Sequence, residues 1–513
     1  MTHGSGALPR GSSASLTDRA WLSLLALAIF SCVLLFWNLA VDPAFWFDEG
    51  YKTNAARTIA EHGIYATLTS DGYIPFDSGI SGGPADILAI ALSFKLFGVS
   101  VFAARVPAAA YGVAGILLLC GLATHLYGRQ AGLLAALAIL AAPALDSCNF
   151  VTLGRQALAE VPAMAWMAGG LLVLAKAWQR GDGKRAWVAG ALLGIAVLSR
   201  QQWAMALIPA VLTAMLWRAQ LRSPGWPRRI LPYVWPLAIM IGVVILWKIV
   251  EFANTTAELR IENALMAAEA TRSNLFTSSF GRMLSTQGWM AVVVMLLGVI
   301  AGVIHLMQLR SSGSAQSAQA SMHVLLVTFV FCHCAWYALF SVGWLRYAFP
   351  SMVLGLLLLA ALLQRTVGRK YVLASYAAML LLLAAAVSPL IASAPPQDSS
   401  AERMSALIRE TTPPTAMIET WEWEITTLVG PQRFHLPQQK FLFQAIRQRT
   451  VSENLFTLDY DALQRDPDYL LMGKFGSWTG IYSQELLSMC FKPIVSDGSY
   501  ILYQRIDCSS HPL

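Results

Sequence analysis

The chain has 513 residues, 56% of them hydrophobic and only 13% charged, with a formal net charge of +7. Soluble domains carry roughly 25% charged residues, so this composition excludes an ordinary soluble protein. Nor is the positive balance a nucleic-acid signal, because the Lys and Arg residues lie mostly in short segments between apolar runs, where they mark cytoplasmic loops.

About eleven apolar runs approach the roughly 18–20 residues needed to cross a bilayer. They fall at about 20–41, 104–126, 131–148, 157–178, 186–200, 203–217, 231–250, 288–307, 322–341, 346–364 and 371–392. No small-residue cleavage pattern follows the first run, Ala20 to Val41, so no cleavable signal peptide is expected. With the N-terminus in the cytoplasm, every inner segment is basic. These segments carry Arg10 and Arg19; Arg129; Arg180, Lys184 and Arg185; Arg218, Arg222, Arg228 and Arg229; Arg310; and Arg365, Arg369 and Lys370. An odd number of spans then places the C-terminus outside. Pro84 to Gly98 is apolar but short, and contains Asp86 and Lys95. Counting it as a span breaks the basic-loop pattern downstream, so it is read as an interfacial or re-entrant helix on the outer face.

Three large pieces share that outer face. They are loop 42–103, the helix-compatible loop 251–287 (with Glu251, Glu258, Arg260, Glu262, Glu269, Arg272 and Arg282), and the tail 393–513. Short loops at 149–156, 200–203 and 342–346 join them. The expected organisation is a transmembrane unit over 1–392 and a small α/β unit over 393–513. Ala394 to Ser400 reads as the linker between them. In the tail, Glu402 to Glu410 suits a helix, and Ala416 to Glu419 and Tyr469 to Met472 suit short buried strands. Lys492 to Val495 and Tyr500 to Tyr503 flank a hairpin turn at Asp497-Gly498. That turn sets Cys490 opposite Arg505, so a Cys490–Cys508 disulfide needs a bulge or a frayed end. Cys32, Cys120, Cys148, Cys332 and Cys334 lie in or beside spans, and packing is their default reading.

The first outer loop opens with Phe45-Trp46-Phe47-Asp48-Glu49-Gly50-Tyr51. Two adjacent acids among large aromatics lie just past a span, where desolvation tunes proton affinity. Asp48 has the form of a helix N-cap. Glu49 to His62 is helix-periodic and ends at Gly63, a suitable C-terminal stop. Tyr51, Ala55, Ile59 and His62 fall near one stripe. The plain reading of Asp48 is a cap; the flanking aromatics, Glu49 and the boundary position favour a functional one. Arg155, Arg200 and Arg346 sit at outer helix ends, where an Arg fork suits a phosphate and where snorkelling to headgroups is the alternative.

Trp46 to Tyr51, followed by Ala55 to Tyr65, resembles the first outer loop of the GT-C superfamily of membrane glycosyltransferases. More narrowly it is similar to the protein mannosyltransferase and aminoarabinose transferase branch. Lys95 to Ser100 with Ala103 to Pro107, Gly154-Arg155 with Glu160-Val161-Pro162, and Arg346-Tyr347 before Pro350 follow in the family's order. The resemblance covers roughly residues 20–392; the tail resembles the family in placement only. It implies a GT-C fold of about 11 transmembrane helices plus an outer interfacial helix, with a small C-terminal α/β extracytoplasmic domain. It implies inverting transfer from a polyprenyl-phosphate-linked sugar to a glycolipid, polysaccharide or protein acceptor, in a bacterial inner membrane. Asp48 is then the base, Glu49 its neighbour and Glu160 the second acid. Tyr51, Arg155, Arg200, Arg346 and Tyr347 are the substrate-binding candidates. The chain departs from the branch at Phe76 to Pro84, a Gly-rich stretch that leaves Asp77 and Asp86 as the local charges. It also carries Arg200 where relatives often show Lys. Glu49, His62, Asp77 and Glu160 are donors a divalent metal could use, but their spacing matches no specific motif and no metal site is assigned. Cys332-His333-Cys334 reads as helix interior.

The main non-enzyme alternative is a lipid or lipid-sugar flippase. Flippases and transporters place polar groups near the midplane in repeated halves; no convincing repeat is visible here, and the acids cluster at one face. A catalytically inactive scaffold in an assembly complex is a second alternative, against which the retained Asp48 argues. Orientation is directly testable: a reporter active only outside the cytoplasm, fused after Leu513, is expected to be active, and a silent one reverses the topology.

Overall fold

A computed structural model describes residues 14–77, 80, 83–142, 149–219, 226–276, 281, 288–311, 317–366, 374–381, 384, 400–451, 458, 460–506 and 508. The expected linker over 394–399, most of the span expected at 371–392, and the side chains of Arg10, Arg19, Arg222, Arg228, Arg229, Arg282, Arg369, Lys370 and Cys148 lie outside the described residues.

The membrane unit contains α1 (Ala14–Phe36), α4 (Val101–Tyr127), α5 (Arg129–Ala141), the single turn α6 (Phe150–Gly154) and α7 (Glu160–Arg180). It continues through α8 (Gly183–Ser199), α9 (Ala204–Ala219), α10 (Trp226–Ala253), α12 (Gly288–Ser311), α13 (Ala318–Phe340) and α14 (Phe349–Thr366). Among the described residues six segments are individually long and apolar enough to cross a bilayer: α4, α7, α12, α13, most of α10, and Leu345–Thr366. The other expected spans fall on α1, α5, α8 and α9 and on the helical residues 374–381. α7 packs on α4 and α8, α8 on α10, α9 on α13, and α12 on α14, around one continuous apolar core.

Loop 42–103 folds into α2 (Phe47–His62), an antiparallel hairpin of β1 (Ala66–Thr69) and β2 (Gly72–Pro75), and α3 (Pro84–Phe97). α3 buries Ile87, Ile90, Ala91 and Phe94 and exposes Leu88, Leu92, Leu96 and Phe97. A helix apolar on both faces, one of them unpacked, fits the lipid boundary. In the second large loop α11 (Ala257–Phe276) is helical as expected, and Asn263 donates to the Phe76 carbonyl at 3.2 Å.

The tail forms α15 (Ser400–Thr411), α16 (Trp423–Val429), α17 (Gln439–Val451), α18 (Lys474–Thr479) and α19 (Gln484–Cys490). Its strands are β3 (Ile418–Thr420), β4 (Phe434–His435), β5 (Tyr469–Met472), β6 (Phe491–Asp497) and β7 (Tyr500–Arg505), in the order β4-β3-β5-β7-β6. β3 runs parallel to β4 and β5, and the β5–β7–β6 edge is antiparallel. Asp497 pairs with Tyr500, so the turn residues are Gly498 and Ser499, one position later than expected. A bulge between Pro493 and Val495 shifts the register again, and Cys490 bonds to Cys508.

The tail is not a free-standing cap. Its buried apolar residues, among them Trp421, Trp423 and Ile425, share one core with Phe47, Tyr51 and Ala55 of α2. A Cβ at Gly50 would overlap the backbone of Trp423 and Glu424, so only glycine permits this approach. Thr53 meets Thr427 hydroxyl to hydroxyl at 3.1 Å, and Arg57 donates to the Thr427 carbonyl at 2.7 Å. Asn54 bonds both backbone groups of Leu68, tying α2 to the β1 strand.

The membrane side of α2 is held by charge. Glu49 is fully buried and accepts from Arg105 Nε (2.9 Å) and Nη2 (2.6 Å) and from the Ala157 N–H (2.7 Å). The expectation that Glu49 shares a site with Asp48 is therefore corrected: its carboxylate points inward to α4. Arg155 is likewise buried, bonded to the Trp37 carbonyl at 2.6 Å and to Asp42 at 3.2 Å, where it secures the turn after α1. It does not meet the other arginines expected at the outer helix ends.

Removing one partner of such a buried pair leaves an uncompensated charge, which costs about 3–5 kcal/mol. Arg105→Met is expected to lower the thermal midpoint sharply, and Glu49→Gln combined with it to recover much of the loss; equal losses in both variants would deny the pair. Gly50→Ala is expected to cost about 1–3 kcal/mol through overpacking and to expose the tail to protease. A tail as resistant as in the parent chain would deny the close approach.

Candidate active site

Trp46, not Asp48, occupies the N-cap position of α2, with extended backbone and no side-chain cap. Asp48 is thus freed from the role its sequence position suggested. It lies in the first turn, and its carboxylate pairs with Arg346 of the short 3-10 turn Leu345–Ala348 that leads into α14. The Arg346 guanidinium also lies 5.0 Å from the Trp344 ring centre, 5.4 Å from Trp46 and 5.5 Å from Tyr347. Cation–π attraction from three faces holds it in place.

Arg346 Nε is 4.0 Å from Glu160, the first residue of α7, whose side chain is 2% exposed. Glu160 in turn pairs with Arg200, in the turn after α8. Asp48, Arg346, Glu160 and Arg200 therefore form one row of alternating charge drawn from four separate elements. Lys52, one turn along α2, donates to Asp86 of α3 at 2.7 Å and lies near enough for its charge to act on Glu160.

Asp48 and Arg346 open onto a cavity of about 410 Å³. Trp46, Trp344 and Leu345 line its membrane side, and Phe475 and Trp478 of α18 close it from the tail. Phe475 stacks on Phe47 at 3.5 Å between ring centres and meets Trp421 edge-on. Beneath α18, Glu422 accepts from the N–H groups of Gly473 (2.9 Å), Phe475 (3.3 Å) and Gly476 (2.8 Å). A Cβ at Gly473 would come within 2.6 Å of the Glu422 carboxyl carbon, so glycine admits this anchor. Burial pushes the Glu422 carboxyl up. Burial and the neighbouring Glu422 charge push Glu424 well above the usual carboxylate range. The Tyr500 hydroxyl, 2.6 Å away, donates to Glu424.

Of the residues singled out in the sequence, Asp48, Glu160, Arg200 and Arg346 come together, with Tyr347 beside them. Tyr51 instead donates to Asp77 and sets its ring edge-on to Trp423 at 4.7 Å. The four metal-donor candidates do not converge: Glu49 is held by Arg105, Asp77 by Tyr51 and Glu160 by Arg200, and His62 lies beside Glu61 at the far end of α2. Lys52, Trp344, Phe475 and Trp478 had been given no role. Trp344 stands two residues before Arg346 and was within reach of the motif, whereas α18 lies in the tail, where no motif pointed.

Residues 82–247 match the family described as dolichyl-phosphate-mannose-protein mannosyltransferase. No curated protein matches the chain by sequence. Among solved structures, the chain is similar to ArnT from Cupriavidus metallidurans bound to undecaprenyl phosphate. The TM-score is 0.60 at 13% identity, over 98% of this chain and 100% of that one. It is also similar to the archaeal oligosaccharyltransferase AglB from Archaeoglobus fulgidus, solved with an inhibitory peptide and a dolichol-phosphate. There the TM-score is 0.59 at 11% identity, over 98% and 76% of the two chains. The chain is thus a multi-pass membrane protein with the GT-C fold, similar over residues 82–247 to the protein mannosyltransferases.

Proposed function

We propose that this chain is an inverting glycosyltransferase that moves a sugar from a polyprenyl-phosphate donor to an acceptor on the outer face of a bacterial inner membrane. The observation that carries this reading is Asp48 in the wall of a cavity at the junction of bundle and tail, backed by Arg346, Glu160 and Arg200. Two relatives of the same fold were solved with undecaprenyl phosphate and with a dolichol-phosphate, which supports a lipid-phosphate donor.

The acceptor oxygen attacks the anomeric carbon from the face opposite the phosphate. The bond between that carbon and the phosphate oxygen breaks, and its electron pair leaves with the polyprenyl phosphate. Asp48 takes the acceptor's proton. Arg346 carries a planar fork of donors that matches a phosphate, and Arg200 supplies a second cation behind it. Glu160 binds both arginines and orients them. In the resting arrangement Arg346 neutralises Asp48; a guanidinium drawn to the donor's phosphate releases the carboxylate to act as base. Arrival of the donor and activation of the acceptor are thereby coupled.

Asp48→Asn keeps the size of the side chain but cannot take a proton. It is expected to reduce transfer by at least about 10²–10⁴-fold, the range attributed to general-base catalysis, with unchanged folded protein in the membrane. Mass spectrometry of envelope glycolipids and glycoproteins, with and without the chain, reads the product. Full activity in the variant refutes the base. Lipid translocation in reconstituted vesicles without any glycosylated product replaces this reading with that of a flippase.

A further inference from the structure

The tail's contribution to the cavity points to the chemistry of the acceptor. Trp46 and Trp478 are each 37% exposed although both line the cavity, Trp46 from the bundle and Trp478 from the tail. Arg346 lies over the Trp46 ring, whereas the Trp478 indole, set beside Phe475, presents a flat, electron-rich surface to the cavity from the tail side. The charged groups of the same wall are the paired Asp48 and Arg346. A pyranose ring matches this arrangement. Its axial C–H bonds present a slightly positive apolar face to an aromatic ring, and its equatorial hydroxyls project sideways toward hydrogen-bonding groups. A polyprenyl or acyl chain would use the rings but offer no hydroxyl to the partly exposed Asp48 carboxylate beside its partner Arg346. A peptide would need partners for its backbone N–H and C=O groups, and the walls consist mainly of rings. The volume of about 410 Å³ lies within the usual range for small-ligand pockets.

The wall is also rigidly presented. α18 is pinned by three N–H bonds to Glu422 and by the stack of Phe475 on Phe47. It therefore stands at a fixed distance from the helix that carries Asp48. Because α18 belongs to the water-side tail, what it meets is a molecule arriving from that side.

Resting on the transferase reading above, we propose that the acceptor is a pyranose-bearing glycan whose ring stacks on Trp478, with one hydroxyl delivered to Asp48. Acceptor discrimination then resides in the tail and chemistry in the bundle.

The test uses the full chain in lipid nanodiscs and saturation-transfer NMR. The probes are phenyl gluco-, manno-, galacto- and N-acetylglucosaminyl pyranosides, against 2-phenoxyethanol and an acetylated serine-containing peptide. At least one pyranoside is expected to bind more tightly than both controls. Trp478→Ala is expected to weaken it about tenfold, with the larger part retained in Trp478→Phe, as aromatic stacking requires. Asp48→Asn is expected to keep the binding while losing transfer. Equal binding of phenoxyethanol, preference for the peptide, or unchanged affinity in Trp478→Ala overturns the proposal. Two further results separate it from the transferase reading. Sugar transfer without pyranoside binding sinks the acceptor assignment alone. Pyranoside binding in a chain that makes no glycosylated product leaves a sugar site and sinks the transferase.

Discussion

The buried Glu49–Arg105 pair fixes the rotation of α2 about its own axis, and the candidate site depends on that rotation. Successive residues in an α-helix are turned by about 100°, so residues 48, 49 and 50 face three different bodies. Glu49 faces inward to Arg105 of α4. Gly50 faces the tail, against the backbone of Trp423 and Glu424. Asp48 is left facing Arg346 and the cavity. Burying a carboxylate is costly, and this one is compensated by two guanidinium N–H groups and the N–H of Ala157.

The charges behind Asp48 alternate in sign along the row to Arg200, and Lys52 with Asp86 adds a further balanced pair. A balanced row is tolerable at the edge of a low-dielectric bundle, where an isolated charge is not. It also decides where an incoming anion competes. Asp48 is 26% exposed and Glu160 only 2%, so Asp48 is the open end of the row, the end at which the proposed donor phosphate would arrive. The aromatic cage keeps Arg346 near that end whichever anion it binds. The row thus combines a buried pair, Glu160 with Arg200, and a more exposed one, Asp48 with Arg346, which the proposed mechanism exchanges.

What could be read in the sequence follows from the range of each interaction. Helical periodicity is local, and α2, its stop at Gly63, the helix α3 and, to within one residue, the hairpin of the tail were legible. Asp48, Arg200 and Arg346 were each visible as charged residues beside expected spans, and Glu160 through the family resemblance. Their joining into one row was not, because four elements far apart in the chain supply them. Glu49 was misread because adjacency in sequence suggests a shared site, whereas a helix separates neighbours by direction. Asp48 has a residue type that fits a cap, and its surroundings favoured a functional role over that one; the chain starts the helix earlier, at Phe47, and spares the side chain. Arg105 stood within a recognised stretch, yet nothing local announced a buried partner 56 positions away.

The tail shows the same limit on a larger scale. Its first helix and four of its strands could be placed from local signals, but α16 to α19, β4 and the docking could not; for the docking the determining feature is an absent side chain at Gly50. Nothing local marks Glu422 and Glu424 in the sequence, where they follow Trp421 and Trp423. In the fold they are buried, one as the anchor of α18 and the other bonded by Tyr500. The family match ends before the tail begins, while the cavity needs both. The wall draws Trp46 from the bundle and Trp478 from the tail, so α18 can vary in sequence without disturbing Asp48, provided Glu422 still holds the helix start. On the proposed reading, separate control of chemistry and recognition would follow from where the two units meet, and from the shared core of α2 and the tail that keeps them in register.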